Sequence, residues 1–191
     1  QITIDQDIDA ISWLELKDGI AKAEAFSSDA IFIHLNTYGG YVLYADSMRS
    51  LILQTETPVY VFINNNAASA GALISIACDS IYMVRGANIG AATVVEQFGE
   101  KAMDKYQSYM RATMRSTAEA HGKKIVKSAG GVEKEIWHRD PIIAEAMVDE
   151  TVVVDGIDDS TKILTFTAEE ALKYGYCEGI YKNIDQIIRH S

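Results

Sequence analysis

The chain predicts an α/β fold in which a mostly parallel β-sheet is covered by helices. Short apolar runs with the character of buried strands occur at Ile2 to Ile4, Ala30 to Leu35, Val59 to Ile63 and Ser80 to Val84. Longer stretches with apolar residues at helical spacing separate several of these runs, and such alternation implies βαβ crossovers. Only two prolines interrupt the chain and 48% of its residues are apolar, so long regular elements are expected and extended disorder is not.

The first helix is expected over Ile8 to Glu24, where Ile8, Ile11, Leu14, Ile20 and Ala21 follow helical periodicity. Val42 to Leu53 repeats the pattern with Leu43, Met48, Leu51 and Ile52. Ala70 to Cys78 is small and apolar throughout, which suits a helix buried in the core. Gly86 to Val95 reads as a loop with a short extended segment, and Lys101 to His121 as the longest helix, with Gly122 closing it. Ser128-Ala129-Gly130-Gly131 is a break. A further helix is expected over Ile136 to Val148, with Asp140-Pro141 better placed as its N-terminal boundary. Val152 to Val154 and Leu164 to Phe166 flank a turn at Asp155-Gly156-Ile157-Asp158-Asp159, which predicts a hairpin or small β excursion. Thr167-Ala168-Glu169-Glu170 has the form of a capping box opening a last helix, and Gly175 ends it.

At 191 residues the chain accommodates one domain with a sizeable core, taken as residues 1–191. Lys and Arg number 17 against 27 Asp and Glu, a net charge of −10 that repels phosphate backbones and argues against nucleic acid as a partner. Cys78 and Cys177 lack metal-ligand spacing and cannot form a disulfide framework. No metal or organic cofactor is implied. No apolar run reaches membrane-spanning length, and the strand-like start without an initiator Met suggests a trimmed piece of a longer protein.

The residues that can carry chemistry lie in three segments. Ser69, in Asn66-Ala67-Ala68-Ser69-Ala70-Gly71-Ala72, stands where a buried strand gives way to a small-residue helix. A nucleophilic hydroxyl needs such a turn, beside the positive end of a helix dipole; the plain alternative is a helix N-cap. Gly39 and Gly40 follow the strand Ala30 to Leu35, where paired glycines bring backbone N–H groups close to a reacting oxygen or simply make a turn. Lys101, expected to open a helix, serves as a general base only if its pKa falls far enough to supply neutral amine; otherwise it is a solvated surface residue. Lys105, one turn on, is a second candidate base. Together these parts compose a Ser-Lys hydrolase. Among the histidines, His34 lies in a buried strand, His121 beside a helix C-terminus and His190 at the chain end. His138 with Asp140 is the pair to weigh against a lysine base.

With these residues in place, the chain resembles the NfeD-type membrane-bound serine proteases of the ClpP class, within the ClpP/crotonase superfamily. The resemblance rests on Leu35-Asn36-Thr37-Tyr38-Gly39-Gly40, Ala67-Ala68-Ser69-Ala70-Gly71, Asn88-Ile89-Gly90-Ala91-Ala92, the segment Lys101 to Arg111, and Leu164 to Gly175. It implies a ClpP/crotonase-like parallel sheet of ββα superhelix units covered by helices, with a small C-terminal β/α excursion. It also implies Ser69 as nucleophile, Lys101 as general base, and the N–H groups of Gly40 and Ala70 as the oxyanion hole. Relatives of this type are attached to a membrane, cut apolar segments of membrane-associated, stomatin-like proteins and form homo-oligomers. Where the family usually has proline before the glycine pair, this chain has Tyr38.

Two other functions use the same frame. A crotonase-type enzyme would act on an acyl-CoA thioester through the paired-glycine device, yet Arg85 is the only basic residue near the site segments to receive the nucleotide end. A catalytically silent module would grip an extended segment of a membrane partner without cutting it.

Overall fold

The computed structural model describes residues 1–96, 99–127, 131–157 and 162–190. They form two compact units, Gln1–Ala92 with Thr165–Ser191, and Thr93–Leu164.

The first unit carries the sheet. Strands β1 (Ile2–Ile4), β2 (Ile31–Thr37), β3 (Val59–Ala68) and β4 (Ser80–Met83) run parallel, each beside the next, and the two-residue β9 (Gly179–Ile180) joins β4 at the far edge. Helices α1 (Ala10–Ala25), α2 (Val42–Gln54) and α3 (Ala70–Ala77) supply the crossovers between them. Strand alternation puts Ile31, Ile33, Leu35 and Thr37 on the buried face of β2, while Phe32, His34 and Asn36 are half-buried on the other. All eight residues of α3 are buried, as a helix apolar on every side requires. The opposite face carries Phe62, which is covered by Ile184 and Ile187 of α7 (Ile184–His190).

Helix α1 starts two residues later than its periodicity suggests, because Asp9 caps it. The Asp9 carboxylate accepts the N–H groups of Ile11 and Ser12 at 2.9 and 3.0 Å, and the Ser12 hydroxyl returns to the Asp9 N–H at 2.9 Å. Ile8 is thereby released from the helix and pairs with Gly40 as an isolated parallel bridge.

Beyond residue 63 β3 changes register. Leu35 faces Ile63, but Thr37 faces Ala67, so β3 accommodates extra residues in between. Its displaced end pairs with β5 (Asn88–Gly90), which pairs on its other side with antiparallel β8 (Thr165–Thr167). The hairpin expected between 152–154 and 164–166 therefore does not form: residues 152–154 are not a strand, and Phe166 faces Ile89. Part of the turn between them, Asp158-Asp159, lies outside the described residues. Thr167 caps α6 (Ala168–Lys173) in the expected capping box with Glu170, and the helix ends at Tyr174 ahead of Gly175.

The second unit contains α4 (Asp104–Ala120), the antiparallel pair β6 (Lys123–Lys127) and β7 (Glu133–Trp137), and α5 (Pro141–Ala146). Two expectations are corrected here. The helix expected from Lys101 begins at Asp104; Lys101 lies ahead of it and bridges to Val95. The helix expected over Ile136 to Val148 divides at Asp140-Pro141: Ile136 and Trp137 belong to a strand, and the helix proper has Asp140 as N-cap and Pro141 in its first turn. Of the predicted break at 128–131, residues 128–130 fall outside the described residues.

Candidate active site

Ser69 is a one-residue elbow between β3 and α3. Its backbone sits at φ 54°, ψ −117°, a conformation that L-residues adopt at a cost of about 1–3 kcal/mol. The strain is held from both sides. The Ser69 N–H donates to the Gly90 carbonyl at 2.9 Å, and the Ser69 carbonyl accepts the Ala72 N–H at 3.0 Å. Ser69 occupies the N-cap position of α3, yet its side chain makes no capping hydrogen bond. The simple capping role is thus unfilled, and the hydroxyl stands on a half-buried residue beside the first turn of α3, whose leading N–H groups have no partner within the helix.

The glycine pair lies against this elbow. A Cβ placed on Gly39 would come within 2.7 Å of Ser69 Cβ and 3.1 Å of Ser69 Oγ, so only a glycine leaves the hydroxyl its space. Gly39 also has φ +124°, a left-handed value. A Cβ on Gly40 would lie 2.2 Å from the Ile8 carbonyl oxygen. The Ile8 N–H donates to the Gly39 carbonyl and the Tyr41 N–H to the Ile8 carbonyl, both at 2.8 Å. In a parallel ladder of this form, the intervening residue directs its own N–H to the opposite edge, away from Ile8. The two glycine amides consequently differ. The Gly39 N–H donates to Thr37 Oγ1 at 3.1 Å, whereas the Gly40 N–H is turned away from Ile8.

Tyr38, Tyr41 and Leu43 surround the glycine pair in sequence and are 74%, 68% and 70% exposed. The Tyr41 ring meets Tyr44 edge-on at a centroid distance of 6.2 Å. These side chains offer apolar area next to the glycine turn. Arg85, in the same unit, is exposed and lies 3.6 Å from Glu169.

Both lysines belong to the second unit. Lys101 Nζ contacts both carboxylate oxygens of Glu150, at 2.9 and 3.0 Å, and its side chain is half exposed. The Lys101 hydrogen bond holds the Glu150 carboxyl below its ordinary range. Next to it, Asp149 is lowered mainly by the Thr151 N–H, at 2.9 Å, and further by the Thr151 hydroxyl, by Arg111 at 2.7 Å and by Lys101, against an opposing effect of burial. The loop carrying Lys101 is tied to α4 by the buried Gln107, whose amide nitrogen donates to the carbonyls of Val94 and Ala102 at 2.6 and 3.2 Å. Lys105 sits in the first turn of α4 with its amine 4.8 Å from the centre of the Tyr106 ring. His121 and His138, in the same unit, approach to 5.9 Å between ring centres, and the Asp140 carboxylate accepts the Ile142 N–H as helix cap.

Thr37 and Asn36 are residues for which sequence reading gave no role. Asn36 accepts the Asn66 N–H at 3.2 Å and donates to Asp5 at 2.7 Å, which ties the displaced stretch of β3 to the end of β1. Thr37 could have been singled out by alternation, since a hydroxyl takes the place in the Ile31, Ile33, Leu35 series where another apolar residue is expected. Among the described residues no helix is long and apolar enough to cross a membrane, and no group of His, Cys, Asp and Glu side chains could hold a metal.

The parallel sheet, the strand-to-helix serine and the glycine turn define the class: a ClpP-like α/β protease fold. ClpP1 from Listeria monocytogenes shares the fold at TM-score 0.64 and 17% identity, over 97% of this chain and 93% of its own. The chain belongs to the NfeD1b N-terminal domain family, whose model matches residues 1–191. It is 33% identical to membrane protein NfeD1b of Bacillus subtilis over 175 residues, which is 91% of this chain and 36% of that protein. It is 30% identical to the membrane-bound protease PH1510 of Pyrococcus horikoshii over 183 residues, 90% of this chain and 34% of that one. The chain thus spans about a third of the length of these relatives. Among solved structures, a serine-to-alanine mutant of the 1510-N membrane-bound stomatin-specific protease matches at TM-score 0.78 and 27% identity, over 99% of this chain and 82% of that one. A lysine-to-alanine mutant of the same protease, in complex with a substrate peptide, matches at 0.77 and 27%, over 98% and 76%.

Proposed function

We propose that this domain is a serine endopeptidase that cuts peptide bonds through an acyl-enzyme at Ser69, with Lys101 as general base. The observation that carries it is the strained Ser69 backbone, with a hydroxyl that does not cap its helix and a glycine pressed against it. Strain of this kind persists only where surrounding contacts enforce it, and it clusters at reactive sites.

Lys101 takes the hydroxyl proton as the oxygen attacks the scissile carbonyl, returns it to the leaving amine, and activates water for deacylation. To do so the amine must leave the Glu150 carboxylate that it contacts. The developing oxyanion is received by the N–H groups of Gly40 and Ala70, each worth about 3 kcal/mol of barrier, or roughly a hundredfold in rate. Lys105 is the alternative base. The substrate is an apolar segment of a membrane-associated, stomatin-like protein, in keeping with the substrate named for the 1510-N relative and with the exposed Tyr38, Tyr41 and Leu43. The domain works as a homo-oligomer, attached to a membrane through segments outside residues 1–191.

The test is cleavage of apolar peptides, together with labelling by a fluorophosphonate probe, for the wild type, Ser69→Ala, Lys101→Ala and Lys105→Ala. The first two variants are inactive and the third retains part of the activity. Cleavage by Ser69→Ala at the wild-type rate overturns the proposal, and an inactive Lys105→Ala beside an active Lys101→Ala moves the base to Lys105.

A further inference from the structure

We propose that Thr37 is a positioning residue that sets the oxyanion hole, its hydroxyl clamping the glycine turn while its methyl group seats the first turn of α3. The inference rests on the hydrolase reading above for its kinetic consequence, but the clamp itself is geometric.

Thr37 is 2% exposed, at the end of the buried face of β2. A polar group there needs partners, and both come from one residue: Oγ1 accepts the Gly39 N–H at 3.1 Å and donates to the Gly39 carbonyl at 3.2 Å. That carbonyl also accepts the Ile8 N–H at 2.8 Å, so the hydroxyl and Ile8 hold Gly39 jointly. The bond to the Gly39 N–H also selects between the two glycine amides. With Gly39 satisfied internally, Gly40 is the amide of the pair left to meet an oxyanion.

The methyl group acts on the other donor. A Cβ on Gly71 would fall 2.6 Å from Thr37 Cγ2, so the Thr37 methyl occupies the space that the helix residue after Ala70 leaves empty. One side chain therefore touches both supports of the proposed hole: the turn that presents Gly40 and the helix start that presents Ala70. The separation of the two amides is set through Thr37, which pairs with Ala67 just past the break in the β2–β3 register.

Valine and serine divide the residue into its two parts. Thr37→Val keeps the branched shape and removes the hydroxyl; Thr37→Ser keeps the hydroxyl and removes the methyl. In peptide cleavage, kcat of Thr37→Val falls roughly ten- to hundredfold with KM close to wild type, because an oxyanion contact is made in the transition state. Thr37→Ser loses only about threefold in kcat: the bonded hydroxyl still holds the Gly39 turn, and the small loss is that of the methyl contact at Gly71. Amide hydrogen exchange gives a readout independent of catalysis: the Gly39 N–H exchanges faster in Thr37→Val and stays protected in Thr37→Ser. Wild-type kcat in Thr37→Val, or unchanged Gly39 exchange, overturns the proposal. So does a loss of kcat of roughly tenfold or more in Thr37→Ser, which also decides the matter if the valine variant does not fold. Should Ser69→Ala cleave like wild type, the hydrolase reading fails while the exchange experiment still judges the clamp.

Discussion

Replacing Gly39 by alanine tests the elbow directly, because the added atom has a known destination. The new Cβ would come 2.7 Å from Ser69 Cβ and 3.1 Å from its hydroxyl oxygen, closer than real Cβ atoms approach other carbons. Two costs add. Holding a non-glycine residue at φ +124° costs about 1–3 kcal/mol, and the overlap costs about as much again unless the turn shifts. Gly39 is bonded to both Ile8 and Thr37, so the turn shifts little, and a loss near 3 kcal/mol is expected, about 6–12 °C in Tm for a chain of this size. Activity falls further than stability does. A displacement of the nucleophile by about 1 Å is enough for roughly a hundredfold loss, even at temperatures where the variant is fully folded. Thermal denaturation followed by circular dichroism, with peptide cleavage measured at least 20 °C or so below the variant's Tm, separates the two effects. A Gly39→Ala protein that melts and cleaves like the wild type refutes the geometric argument for the site.

Ser69→Gly removes the side chain that forces the elbow into an unfavourable conformation, so it gains about 1 kcal/mol while abolishing cleavage; a lowered Tm contradicts this. Asp9→Ala removes the cap of α1 and costs about 1 kcal/mol, a fall of roughly 2–4 °C in Tm, and an unchanged melting curve counts against the capping assignment. Asp149 and Glu150 both have carboxyls held below their ordinary range, so their stabilisation is present above that range and is lost as pH falls through the lowered folded values. The stability difference between wild type and Asp149→Asn therefore narrows as pH drops below about 4, as read from denaturation midpoints across pH; a difference constant down to pH of about 2.5 is inconsistent with it.

The parts legible in the sequence were those governed by near neighbours. The apolar run Ala30 to Leu35, the uninterrupted apolar run after Ser69 and the capping box at Thr167 each state a local preference, and strand, helix and cap form where these lie. Where local cues were weak or mixed, the reading failed. β6 and β7 leave no trace in the pattern because all five residues of β6 are exposed, three of them lysines, and β7 opens with three more exposed residues, so neither strand has a buried face. Ile136 and Trp137 read as the start of the following helix, because apolar residues next to a helix resemble its first turn, but they close β7. The partner of β8 could not be read at all, since Phe166 meets Ile89 across a separation that no local signal spans.

The same division runs through the site. Composition and order determined that a serine would stand between a buried strand and a small-residue helix, with a glycine pair after the preceding strand, because backbone preference and hydrophobic pattern act over a few residues. Only the tertiary structure decided that Ser69 is strained and not a cap, that Gly39 gives its amide to Thr37 while Gly40 keeps its own free of Ile8, and that Lys101 precedes its helix and meets Glu150. Each of these depends on which distant segments pack together, and side-chain hydrogen bonds and atomic clearances of a few tenths of an ångström exist only once they have.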